Sequence, residues 1–135
     1  MVIINTGDSV LCYVAKKLEK CTKGKDFVAR YGGEEFIILL PETELSGAIA
    51  LAENIRKTIG TAKIMVAGTD KVIGRISISC GVAQYRAGDH AEDVIARADA
   101  ALYAAKEGGR DCVKSETNVT PTDENARAQL SIGDQ

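Results

Sequence analysis

Two apolar runs separated by a glycine pair constrain this chain most. Asp26 to Tyr31 and Glu34 to Leu40 each read as a strand, with Gly32-Gly33 between them. Glycine reaches the positive φ angles that a two-residue hairpin turn requires, so the pair predicts two adjacent antiparallel strands. Pro41 has no N–H to donate to a ladder and stops the second strand. The flanks of the hairpin are helical. Residues 7 to 22 read as a helix with Asp8 as N-cap and Val10, Leu11, Val14, Ala15 and Leu18 at helical spacing. Thr43 to Ile59 reads as a second helix, with Ala48, Ala52, Ile55 and Ile59 on one stripe and Gly60 as its stop. A hairpin interspersed with amphipathic helices implies an α+β fold, helices packed on a largely antiparallel sheet.

The rest of the chain extends this pattern. Lys63 to Thr69 reads as a short strand and turn. Ile73 to Ala83 reads as one long strand, with Ile76, Ile78, Cys80 and Val82 on one face and Arg75, Ser77, Ser79 and Gly81 on the other. Asp89 or His90 opens a third helix that turns Val94, Ile95, Ala98, Leu102 and Ala105 inward and ends at Gly108-Gly109. A short strand is expected around Cys112 and Val113. From Ser115 onward the chain is almost wholly polar, so residues 1–114 are expected to form the domain and 115–135 a disordered tail. The order is that of a βαββαβ unit whose first strand is missing or reduced to residues 2–4, because only Val2-Ile3-Ile4 precedes the first helix.

Composition narrows the function classes. A formal net charge of −2 supplies no general field for nucleic acid or an anionic membrane, so a phosphate ligand must be held by local cations and amides. With two Phe, four Tyr and no Trp, an aromatic platform for stacking bases is not expected. Cys12, Cys21, Cys80 and Cys112 are scattered and His90 is the single histidine, which does not suit zinc; Cys80 reads as a small buried hydrophobe. The longest apolar run, Phe36 to Leu40, is too short to span a bilayer. A cytoplasmic chain is expected, whatever anchor a longer parent carries upstream.

Three groups of residues have the chemistry for a site. Glu34 and Glu35 follow the glycine turn, and alternation along a strand lets only one of them enter a given site. A carboxylate beside residues that lack Cβ suits a hard cation such as Mg²⁺, and it equally suits a plain hairpin with solvated glutamates. Lys106 and Arg110 flank the glycine stop of the third helix, where they serve either as ordinary C-terminal cations or as a clamp on a polyphosphate. Asp8 is either an N-cap or a reader of a nucleobase.

Arg30-Tyr31-Gly32-Gly33-Glu34-Glu35-Phe36 resembles the signature hairpin of the GGDEF family of diguanylate cyclases, in its GGEEF form. Three other stretches fall in the family's order and spacing. Gly7-Asp8-Ser9-Val10-Leu11 resembles its G-D-x-x-L helix start. Ile76 to Ala83 resembles its T/S-x-S-x-G-V/I-A strand, and Asp99 through Arg110 its D-x-A-L-Y-x-A-K-x-x-G-R ending. The resemblance implies a palm-like, nucleotidyl cyclase-like sheet. It also implies condensation of two GTP into cyclic di-GMP and two pyrophosphates, with Mg²⁺ (or Mn²⁺) and a second GGDEF domain in a homodimer. Carried over by position, Glu34 is the metal ligand and general base, Glu35 helps to shape the metal site, and Gly33 leaves room for the nucleotide. Asp8 reads guanine, and Lys106 with Arg110 holds the β- and γ-phosphates.

The chain also departs from the family's pattern. The family's first strand carries an Asp that is a second metal ligand, followed by a phosphate-contacting Lys and a guanine-reading Asn. None is present, and Ile3 and Ile4 stand where the family has Gly-His. The resemblance therefore implies an N-terminally truncated module, with any sensory or dimerisation domain upstream. The alternative function is a degenerate GGDEF module that binds nucleotide or a partner without turnover. The family's inhibitory product site, R-x-x-D, reads here Lys23-Gly24-Lys25-Asp26, and its partner Arg in the second helix aligns with Asn54. Lysine lacks the planar fork that grips a guanine or phosphate edge, so feedback by cyclic di-GMP is expected to be weak or absent.

Overall fold

The computed structural model describes residues 1–6, 11–61, 63–65, 68 and 72–119. Strand β1 (Val2–Asn5) is followed by helix α1 (Leu11–Cys21), strands β2 (Phe27–Arg30) and β3 (Glu35–Leu39), and helix α2 (Leu45–Thr61). Then come β4 (Lys63–Met65), β5 (Val72–Arg75), β6 (Ser79–Val82), helix α3 (Ala91–Glu107), β7 (Val113–Ser115) and a 3₁₀ turn (Glu116–Asn118). The main sheet has the order β2-β3-β1-β6-β7, antiparallel throughout except for the parallel β6–β7 pair. The expected α+β architecture is what forms.

The sheet sits between two helical layers. On one face Val2, Ile4, Phe36, Ile38, Cys80 and Val82 meet Val14 and Leu18 of α1 and Ala48, Ala52, Ile55 and Ile59 of α2. On the other, Ile3 and Ala83 meet Val94, Ala98 and Leu102 of α3. A strand covered on both faces has no use for a polar alternate, and this explains the unbroken Val-Ile-Ile of β1. Each of these side chains, removed from water, contributes roughly 1.5–3 kcal/mol before the entropy of ordering is set against it.

The position of the first strand, expected to be missing or reduced to residues 2–4, is filled by β1. Val2–Asn5 lies at the centre of the sheet, paired along its length with β3 (Val2↔Ile38 to Asn5↔Glu35) and with β6 (Val2↔Val82 to Asn5↔Ser79). Four residues are enough because its neighbours β3 and β6 are only five and four residues long.

Other boundaries move for local reasons. The expected strand from Ile73 to Ala83 is broken into β5, which pairs with β4 in a separate two-stranded sheet, and β6. The face of β6 expected to be polar is buried as well, because α3 lies on it. A Cβ at Gly81 would overlap the Ala98 carbonyl oxygen and the Leu102 amide nitrogen, so only glycine permits this approach. Helix α2 does not stop at Gly60 but runs to Thr61, whose hydroxyl donates back to the Lys57 carbonyl at 2.9 Å. Ser115 is not the start of a tail. It is buried at the end of β7, and Glu116 belongs to an ion-pair network with Arg97 and Arg86. The expected N-terminal turn of the first helix (residues 7–10) and the expected tail from residue 120 lie outside the described residues.

Helix α3 carries the best-defined ends. The Asp93 carboxylate accepts from the His90 amide at 2.8 Å at its start. At its end, Arg110 N–H reaches the Ala105 carbonyl at 3.0 Å and Gly109, at φ 106°, N–H the Lys106 carbonyl at 3.4 Å. That is the Schellman stop, and it fixes where Lys106 and Arg110 leave the helix.

Candidate active site

The glycine turn is wider than the sequence suggests. Strand β2 ends at Arg30 and β3 begins at Glu35, which leaves four residues in the connection, and neither Gly32 nor Gly33 adopts a positive φ. The expected two-residue hairpin turn is therefore corrected. The Glu35 carbonyl accepts from Tyr31 N–H at 2.8 Å and Gly32 N–H at 3.3 Å. The Arg30 guanidinium donates to the carbonyls of Gly32 (3.2 Å) and Gly33 (2.9 Å) and so closes the loop from within. From the next strand, Thr6 donates both its amide (2.9 Å) and its hydroxyl (3.0 Å) to the Glu34 carbonyl. Two residues given no role from sequence, Arg30 and Thr6, thus hold the turn's backbone. The signal available was a guanidinium fork two residues ahead of a glycine pair.

The two glutamates differ in setting, Glu34 lying in the turn and Glu35 opening β3. Glu34 is exposed, and no hydrogen bond or ion pair is found for its carboxylate among the described residues. Glu35 is half-buried, and its Oε1 lies 3.7 Å from Lys106 Nζ. A Cβ built on Gly33 meets nothing within 4 Å, so the turn is open to an incoming group there. Arg110 is exposed, with φ 64°. The structure thus brings Glu34, Glu35, Gly33 and Lys106 to one corner, where the loop between β2 and β3 meets the end of α3. Asp8 falls outside the described residues.

Whether this corner suits a divalent cation depends on its donors. Strand β1 contributes Val, Ile, Ile and Asn, with no carboxylate, and no group of three or more His, Cys, Asp or Glu able to hold a metal occurs among the described residues. Magnesium, however, is commonly bound through one or two carboxylates with substrate phosphates and water completing the shell. One exposed carboxylate, Glu34, beside an open turn is compatible with a magnesium ion completed by ligand phosphates and water, and the described residues form no cage for a resident one.

Lys23 and Asp26 close a turn of their own. Lys23 N–H donates to Asp26 Oδ2 at 3.1 Å, and Asp26 N–H to the Lys23 carbonyl at 3.0 Å. Asn54 is exposed on α2, and among the described residues no hydrogen bond or ion pair joins it to either. A separate cleft of about 660 Å³ lies at the opposite end of β3, lined by Met1, Leu39, Pro41, Tyr85 and Val94 among others, away from the glutamates. No helix among the described residues is long and apolar enough to cross a membrane.

Sheet order, helices on both faces and a glycine–glutamate turn beside a helix-terminal lysine place the molecule in the nucleotidyl cyclase-like fold. The family model described as "Diguanylate cyclase, GGDEF domain" matches residues 4–112, and the chain belongs to that family. It is 43% identical over 107 residues to diguanylate cyclase DgcM of Escherichia coli, covering 79% of this chain and 25% of the relative. It is 45% identical over 116 residues to diguanylate cyclase A of Treponema denticola, covering 85% of this chain and 30% of the relative. The chain thus spans less than a third of the length of these relatives. Among solved structures, the GGDEF domain of DgcB from Caulobacter crescentus, in complex with c-di-GMP, superposes with a TM-score of 0.80 at 32% identity, covering 86% of this chain and 76% of that one. The active GGEEF domain of a diguanylate cyclase from Vibrio cholerae gives 0.75 at 30% identity, covering 85% and 80%.

Proposed function

We propose that this chain is a diguanylate cyclase module that condenses two GTP into cyclic di-GMP and two pyrophosphates, paired with a second GGDEF domain. The observation that carries the reading is the meeting of an intact Gly-Gly-Glu-Glu turn with Lys106 at the end of α3. Glu34 accepts the proton of the ribose 3′-hydroxyl. The freed oxygen attacks the α-phosphorus of the GTP held by the facing domain, the bond to pyrophosphate breaks, and the same step repeated in the opposite sense closes the ring. Lys106 and Arg110 hold the β- and γ-phosphates, Gly33 admits the nucleotide, and Asp8 accepts from the guanine edge. A magnesium ion bound with the nucleotide at Glu34 would neutralise charge on the phosphates. Most of the rate enhancement then comes from positioning and charge, which is what a rigid turn and a fixed helix end supply.

One observation favours a second reading, nucleotide binding without turnover: β1 brings no carboxylate to the corner. Incubation with GTP and Mg²⁺, followed by separation of products, decides between them. One cyclic di-GMP with two pyrophosphates supports the cyclase. Bound GTP that is recovered unchanged supports the second reading.

A further inference from the structure

The pairing of Glu35 with Lys106 assigns the second glutamate of the turn a role apart from the metal. We infer that Glu35 is a positioning residue for Lys106, serving the phosphate side of the site, an inference that rests on the nucleotide reading above. Four observations carry it. Glu35 Oε1 lies 3.7 Å from Lys106 Nζ, with side-chain exposures of 23% and 27%, so the pair is shielded more than an ordinary surface pair. The other oxygen, Oε2, lies under the turn, 3.9 Å from where a Cβ on Gly32 would stand. The Glu35 backbone is doubly fixed, by pairing with Asn5 and by the amides of Tyr31 and Gly32 that its carbonyl accepts. Glu34, one residue earlier, is exposed and makes no ion pair with Lys106.

A free lysine carries about 2 kcal/mol of rotamer entropy, which a ligand must overcome when it immobilises the ammonium. Glu35, on a rigid strand, holds Lys106 at the turn before the ligand arrives. Preorganisation of this kind raises affinity for a polyphosphate without touching the polyphosphate. A nucleotide that lacks β- and γ-phosphates gains nothing from it.

The test uses the full chain with Glu35→Ala, Glu35→Gln, Lys106→Met and the Glu35→Ala/Lys106→Met double variant. Equilibrium binding of GTP and GMP is measured across a Mg²⁺ titration. The positioning role predicts that Glu35→Ala weakens GTP about threefold to fivefold and GMP less than 1.5-fold, roughly the value of one partly shielded ion pair. Glu35→Gln, which keeps the shape of the side chain but not its charge, recovers only a small part of the loss. Glu35→Ala adds nothing in the Lys106→Met background, and the Mg²⁺ requirement is unmoved. Equal weakening of GTP and GMP, additive losses, or a raised Mg²⁺ requirement in Glu35→Ala would overturn the inference. A thermal unfolding cycle on the nucleotide-free variants reads the pair separately, with non-additivity of about 2 °C expected and strict additivity overturning it. If the wild type binds no GTP, the nucleotide reading fails, and the thermal cycle alone decides whether Glu35 holds Lys106.

Discussion

Gly81 of β6 lies against the backbone of Leu102 in α3, so close that a Cβ on the glycine would stand 2.8 Å from the Leu102 Cα. The atoms in the way are main-chain atoms of a helix and cannot swing aside. Gly81→Ala must therefore push α3 off the sheet, and with it Lys106. The expected loss is about 3 kcal/mol in denaturant unfolding, at the upper end of what overpacking a core commonly does. A change under about 0.5 kcal/mol would mean that α3 does not pack as described.

Arg30 closes the loop ahead of Glu34 with two hydrogen bonds to carbonyls. Arg30→Ala is expected to reduce product formation about tenfold by loosening the position of Glu34, while the exposed site leaves the unfolding midpoint nearly unchanged. Arg30→Lys should not restore the rate, because an ammonium cannot reach both carbonyls as a fork does. Steady-state rates of the two variants beside their melting curves check this.

Asp89 and Glu116 give the fold an acid limit. The Arg97 guanidinium, then the Arg86 amide, hold the Asp89 carboxyl down to about 2 from an ordinary 3.8. Burial pushes Glu116 up, but hydrogen bonds from Arg97 and Arg86 outweigh it and leave it lowered. A carboxyl lowered in the folded state stabilises fully above its unfolded value, and the contribution is lost as pH falls through the folded value. Stability should therefore drop between about pH 4 and pH 2. Denaturant melts across that window should show a shallower slope in Asp89→Asn.

Cyclic di-GMP is expected not to restrain this module. Lys23 offers no guanidinium fork, and the resemblance implies that Asn54 replaces the partner Arg of the family's product site. A calorimetric titration of cyclic di-GMP should show no tight capture involving Lys23 and Asp26; tight capture there would contradict the reading.

The residues that form layers were legible, because burial leaves a period in the sequence. Val14 and Leu18, the Ala48–Ile59 stripe, and Ala98 with Leu102 all lie where their spacing places them. What was illegible depends on partners remote in the chain. Ser79 and Gly81 read as a polar face, yet they are buried because α3 packs on that side of β6, which their small polar character does not reveal. Val2–Asn5 read as a remnant, since its worth as a strand comes from β3 and β6, some thirty and eighty residues away. At the corner, the Glu35–Lys106 pair could not be read from the sequence because it needed the end of α3 to be placed.

Glu34 is the residue on which the proposed chemistry turns, and it is exposed with no structural partner among the described residues. The most direct measurement is cyclic di-GMP formation from GTP and Mg²⁺ by the wild-type chain and by Glu34→Gln, over a range of protein concentrations. The account predicts product from the wild type, at a rate per chain that rises with concentration because two domains must meet. It predicts a loss of about 100-fold or more in Glu34→Gln, with its unfolding midpoint unchanged. GTP bound by both proteins with no product from either, or equal product from both, would contradict it.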